Sequence, residues 1–107
     1  IVPGDMGTSS YVLSGTSGAM DQTFGSTCHG AGRAMGRKAA FKKFDSKNLV
    51  KRLWEKERIY VRARSPRVAS EEAPGAYKNV SDVVDVCHAT GIANKVVKLK
   101  PMGVVKG

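Results

Sequence analysis

The stretch NLVKRLWEKERIYVRARS (Asn48–Ser65) changes its hydrophobic period partway along. Leu49, Val50, Leu53 and Trp54 recur at helical spacing, and Lys51 and Glu55 stand one turn apart on the polar side, placed to pair. From Ile59 the period shortens to two. Ile59, Val61 and Ala63 alternate with Tyr60, Arg62 and Arg64, the pattern of a half-buried strand. A helix running straight into a strand makes a purely helical or purely β chain untenable.

Upstream, FDSKN breaks an earlier helix and offers Asp45 or Ser46 as the cap of the next. That earlier helix is predicted from Arg33, with Ala34, Arg37, Ala40, Phe41 and Phe44 on one face and the lysines outside it. Before it, HGAG is too glycine-rich for regular structure. TFGSTC reads as a short strand, TSGAMDQT as loop, and SSYVLSG as a strand behind the turn-like PGDMGT. Downstream, Pro74-Gly75 makes SEEAPGAYKN a loop. Asn79, with Asp82 three residues on, starts a helix whose Val80, Val83, Val84 and Cys87 share a face and which Gly91 stops. KVVKLKPMGVVKG gives one or two strands interrupted by Pro101. The order β, α, α, β, α, β is mixed, hence α+β, with no internal repeat and no linker.

At 107 residues, 41% hydrophobic and 25% charged, the chain has an ordinary globular composition and room for one small domain. No apolar run approaches the roughly 18 to 20 residues of a membrane span, so no membrane partner is expected. The opening IVPGDMG has neither a signal-peptide pattern nor an initiator Met, and the chain is expected to be part of something longer. Cys28 and Cys87 are two cysteines only, not a disulfide framework, and read as reduced thiols in a cytosolic or nuclear setting.

The charge is lopsided. Net +9 overall, it is −2 over residues 1–32 and +10 over residues 33–67, where thirteen Lys or Arg face Asp45, Glu55 and Glu57. Such a block is either a solvated helix face or the footprint of a polyanion, with nucleic acid the leading candidate. Arg37, Lys38, Lys42 and Lys43 are its candidate RNA contacts.

Cys28-His29 and Cys87-His88 supply zinc-type ligands but not zinc-type spacing, because adjacent residues point apart. His88 reads as a helix histidine without chemical role and Cys87 as core. His29 sits differently. Gly30 and Gly32 clear its surroundings, a helix is predicted to begin just beyond, and Arg33 at that helix start is placed to clamp a phosphate. An imidazole beside a phosphate acts as general base or as nucleophile on phosphorus. The competing reading is a flexible loop with an incidental histidine. Tyr77 is either a base-stacking aromatic or a pin holding its loop to the core, and Lys106 reads as a solvated end.

Taken together, VPGDMGTSSYVLSG, TCHGAGRAMGR, EEAPGAYKNV and the terminal VVKG resemble the C-terminal portion of the RtcB family of GTP-dependent RNA ligases, in order and over essentially the whole chain. The wording of TCHGAGR and YKNVSDVVDVCHATGI is nearer the eukaryotic-type catalytic subunit than typical bacterial forms. The resemblance implies a mixed segment of a larger fold, residues 1–107, that is not a complete domain. It implies RNA ligation with GTP and Mn2+, joining a 3′-phosphate or 2′,3′-cyclic phosphate to a 5′-hydroxyl through a histidine–GMP intermediate, as in tRNA splicing and RNA repair. His29 matches the nucleophile. Arg33 matches the arginine near the phosphate, Gly30, Ala31 and Gly32 the loop against the nucleoside, Tyr77 and Lys106 the guanine contacts, and Ser10 a serine of the glycine-rich turn.

Asp5 stands where the family usually has Ser or Thr beside guanine, and either accepts from guanine N1–H and N2–H2 or weakens the site. AMGRKAA likewise departs from the usual MSR. The family's manganese ligands lie upstream, and none maps onto this chain, so the chain alone is expected not to ligate. The rival expectation is a non-catalytic basic RNA-binding or scaffold module derived from the ligase. Expected partners are tRNA halves, an archease-like activator and subunits of a tRNA ligase complex, in the cytoplasm or nucleus.

Overall fold

The computed structural model describes all 107 residues, as two compact units. The first comprises Ile1–Gly4, Ser9–Ala31 and Asn79–Lys100. In it, β1 (Ser10–Gly15) pairs antiparallel with β3 (Ala93–Leu99), in a register running from Ser10 opposite Leu99 to Gly15 opposite Ala93, with one irregularity between Val12 and Leu13. Val2 adds a bridge to Tyr11. The helix Val80–Ala89 (α5 in chain order) packs against β3. Val2, Tyr11, Val80 and Val84 form the core, with Leu13, Cys28 and Ala31 against it. The Tyr11 hydroxyl is not left unpaired by burial, because it meets Ser81 Oγ at 2.8 Å.

α5 begins where the sequence places it. The Asn79 side chain accepts from the Ser81 N–H at 3.0 Å and donates to Asp82 at 2.9 Å. Val80, Val84 and Cys87 are its buried stripe, while His88 is exposed in the last turn.

Two expectations fail in this unit. Ser17–Thr23 is a helix, α1, not a loop: the Thr16 hydroxyl caps it by accepting from the Ala19 N–H, a signal the run of small residues masks. TFGSTC holds no strand, because Phe24 (φ 53°) and Gly25 (φ 73°) adopt left-handed conformations that close α1.

The second unit comprises Asp5–Thr8, Gly32–Lys78 and Pro101–Gly107. It contains α2 (Arg37–Lys43), α3 (Ser46–Glu57), β2 (Tyr60–Ala63), α4 (Pro66–Glu71), a 3₁₀ turn (Pro74–Ala76) and β4 (Gly103–Lys106). β2 and β4 pair in parallel, Tyr60 opposite Gly103 through Ala63 opposite Lys106. Met6, Leu49, Leu53, Ile59 and Ala73 form the core, with Phe44, Val61 and Val104 packed on it. Burying a leucine such as Leu53 contributes about 1.5–3 kcal/mol. The opening stretch thus folds as helix then strand, with Asp45 capping α3 through the Lys47 N–H at 2.9 Å and Lys51 facing Glu55 at 3.9 Å. Of the expected apolar stripe, however, only Leu49 and Leu53 are buried, while Val50 is half-buried and Trp54 is exposed under Arg58.

Here too the boundaries move. α2 starts at Arg37, not Arg33, because the chain before it pairs with the 3₁₀ turn: Arg33 bridges Tyr77, and the Ala34 N–H donates to Ala76 O at 2.8 Å. Ala40 and Phe44 alone carry the inward face; Arg37 and Phe41 are exposed, with Phe41 lying under Arg67. α4 takes in Ser70 and Glu71, expected as the start of a loop, because Ser65 accepts from the Val68 N–H and Pro66 opens the helix, a cap and N1 proline in sequence. Mixed α+β architecture stands, with no helix long and apolar enough to cross a membrane.

Candidate functional site

In the first unit, Cys28 lies half-buried against the core and His29 is exposed. A Cβ built on Gly30 or Gly32 meets no atom within 4 Å, so no packing in the protein requires glycine there. Gly32, where the second unit's Gly32–Lys78 segment begins, needs glycine for its backbone at φ 74° instead. Ala31 turns inward onto the core rather than standing free. Ser10 Oγ accepts from the Gly4 N–H at 3.1 Å and so ties down the turn ahead of β1. The result is an imidazole on an open loop with a vacant flank.

In the second unit, the centre is a residue the sequence reading passed over, Glu72. Its carboxylate takes the Tyr77 hydroxyl at 2.5 Å and lies 3.3 Å from Arg33, 3.7 Å from Lys106 and 3.9 Å from Arg37. Three residues singled out separately, Arg33, Tyr77 and Lys106, therefore meet at one anion. Arg33 is heavily committed. Nε donates to Met35 O at 3.1 Å, NH1 to Glu72 and to the Tyr77 oxygen at 3.0 Å, and NH2 to Glu71 O at 2.5 Å. Its guanidinium carbon also lies 4.8 Å from the Tyr77 ring centre. Because α2 begins four residues later, Arg33 does not stand at a helix start, and the helix-dipole argument for a phosphate there falls.

The electrostatics follow from this geometry. Burial works against the Glu72 carboxylate, but the Tyr77 hydrogen bond and then the charges of Lys106, Arg33 and Arg37 outweigh it and hold the group below its ordinary range. Tyr77 moves the other way: burial, the hydrogen bond to Glu72 and that residue's negative charge all raise its phenol, against Arg33. Tyr77 is half-buried and held at its tip, so it is both pinned and partly accessible. The clue missed in the sequence was the pair Glu71-Glu72, the first acids after a long basic run.

Asp5 closes its own turn, its Oδ1 accepting from the Gly7 N–H at 2.8 Å. Lys38, Lys42 and Lys43 are exposed on α2. A separate groove of about 790 Å³, lined in part by Val50, Trp54, Tyr60 and Pro66, contains none of these site residues. No group of three or more His, Cys, Asp or Glu converges closely enough to hold a metal ion.

Fold and site define a mixed α+β chain with an exposed histidine on a glycine loop and a cluster of basic groups gathered on one carboxylate. Over residues 1–107 it matches the family described as tRNA-splicing ligase RtcB, and it belongs to that family. It is 56% identical over its whole length to a tRNA-splicing ligase RtcB of Thermococcus kodakarensis, of which it covers 22%. It is 56% identical to one of Pyrococcus abyssi, of which it covers 12%, and 55% identical to one of Methanococcus maripaludis, of which it covers 22%. The chain thus spans about a fifth or less of the length of these relatives.

Proposed function

We propose that this chain is the nucleophile-bearing segment of a GTP-dependent RNA ligase, with His29 as the residue that carries GMP. The observation that carries the reading is the exposed His29 beside Gly30, whose missing side chain leaves open space, within a chain matching the ligase family along its whole length. A neutral imidazole nitrogen attacks the α-phosphorus of GTP; the P–N bond forms and pyrophosphate leaves. The GMP passes to an RNA 3′-phosphate, and a 5′-hydroxyl displaces it to seal the strand. Protonation of the ring makes histidine a good leaving group in the second step.

Tyr77 and Lys106, gathered by Glu72, serve as the guanine contacts, and Arg33 fixes the Tyr77 ring by holding its oxygen and stacking on its face. Gly30, Ala31 and Gly32 carry the loop past the nucleoside. Ser10 is a further nucleotide contact, and Asp5 a further acceptor for guanine N1–H and N2–H2. Arg37, Lys38, Lys42 and Lys43 follow the RNA backbone. Manganese belongs to this chemistry in the family, and its ligands are expected upstream of this segment, so no step is routed through the metal. The chain alone does not ligate. Its substrates are tRNA halves, its partners an archease-like activator and tRNA ligase complex subunits, in the cytoplasm or nucleus.

The test supplies the upstream region of a relative together with this segment and compares His29 with His29→Ala. Lost ligation with retained RNA binding supports the proposal. Unchanged ligation excludes it and favours a basic RNA-binding or scaffold module.

A further inference from the structure

The two cysteines, far apart in sequence, meet in the first unit: the Cys87 and Cys28 sulfurs lie 3.5 Å apart, both as free thiols. Cys87 is buried on α5, whereas Cys28 is half-buried at the start of the histidine loop. A disulfide needs the sulfurs at about 2.05 Å, so a shift of roughly 1.5 Å at two side chains closes the bond. The anchors are unequal. Cys87 is fixed by α5 and the core beneath it, while Cys28 belongs to irregular chain. Closure therefore moves Cys28, and His29 is bonded to it.

We propose that Cys28 and Cys87 form a reversible, peroxide-sensitive dithiol that draws the His29 loop towards α5 when oxidised. One thiolate attacks a peroxide oxygen; the O–O bond breaks, a sulfenic acid forms and water or an alcohol leaves. The second thiolate attacks that sulfur, the S–S bond forms and hydroxide leaves to be protonated as water. In sum two thiols and one peroxide give one disulfide, one water and one water or alcohol. The environment favours the second step. Burial opposes the Cys87 thiolate, but hydrogen bonds from Thr27 and Cys28 outweigh it and hold this thiol below its ordinary value. The Cys28 thiol is raised, by burial first and then by Cys87. One sulfur of the pair thus ionises ahead of the other.

The consequence for ligation rests on the role proposed for His29; the thiol chemistry does not. The test treats the complete ligase carrying this segment with hydrogen peroxide and follows thiol labelling at Cys28 and Cys87, non-reducing peptide mapping and the His29 ring resonances, assigned by their loss in His29→Gln. Labelling of both thiols is expected to be lost together, with a peptide joining Cys28 to Cys87. The His29 resonances should shift, and dithiothreitol should restore all three. Cys28→Ser and Cys87→Ser should each abolish the joined peptide and the shift. Free thiols or sulfinic acids in place of the joined peptide overturn the proposal. A joined peptide with unmoved His29 resonances overturns the coupling to the loop. Neither outcome depends on ligase activity, so failure here is distinguishable from failure of the proposed function.

Discussion

Tyr77 donates its phenolic hydrogen to Glu72 Oε2 across 2.5 Å, and this contact gathers the second unit's candidate residues. Arg33 reaches both partners, and Lys106 approaches the same carboxylate oxygen. The Tyr77 phenol is raised above its ordinary 10.0, through burial and then Glu72. Difference absorbance between the chain and Tyr77→Phe should therefore show phenolate appearing only above that value. In Glu72→Gln the transition should move down, and an unmoved transition would separate the two groups.

The same contact makes stability depend on pH at both ends. Glu72 binds its proton less tightly in the folded chain than in the unfolded one. Its contribution is therefore present above the ordinary 4.5 and lost as pH falls through the lower folded value. For Tyr77 the raised value leaves its contribution intact below 10.0 and removes it as pH rises through the folded value. At pH 7, Glu72→Gln should cost about 1 kcal/mol, discounted for partial solvent screening. Urea unfolding of both chains should show the difference shrinking below pH 4.5.

Two glycines should behave oppositely. A Cβ at Gly75 would stand 2.7 Å from Phe44 Cζ, so Gly75→Ala should destabilise by about 1–2 kcal/mol as the ring is displaced from the core. A Cβ at Gly30 meets nothing, so Gly30→Ala should leave stability within about 0.5 kcal/mol. Attachment of GMP by the complete ligase should nevertheless fall on the order of tenfold or more in Gly30→Ala, through crowding of the nucleotide. Thermal melts and a labelling assay read the two effects separately.

If the basic helix follows RNA, affinity must fall with salt. Neutralising Lys38, Lys42 and Lys43 together should lower the log–log slope by about 2, from released counterions on a single strand. A slope the triple variant leaves unchanged would assign these lysines to solvent.

The α+β class, α3, β2 and α5 were legible because each carries its own period and cap: Leu49 and Leu53, Ile59 and Val61, Asn79 and Val84. α1 and α4 were not, since their caps, Thr16 and Ser65, lie among residues that serve turns equally well. The start of α2 depended on a tertiary pairing, Ala34 to Ala76, that no local pattern announces. Among the site residues, His29 and its glycines stood out by composition. The convergence on Glu72 and the meeting of Cys28 with Cys87 did not, because both bring together side chains from distant parts of the sequence.

The most direct measurement is the position of the nucleotide itself. A complete ligase carrying this segment, incubated with labelled GTP and Mn2+, should yield one acid-labile GMP-bearing peptide that contains TCHGAGR, with the label on His29 and none in His29→Ala. Label on another residue, or undiminished labelling in His29→Ala, would contradict the account.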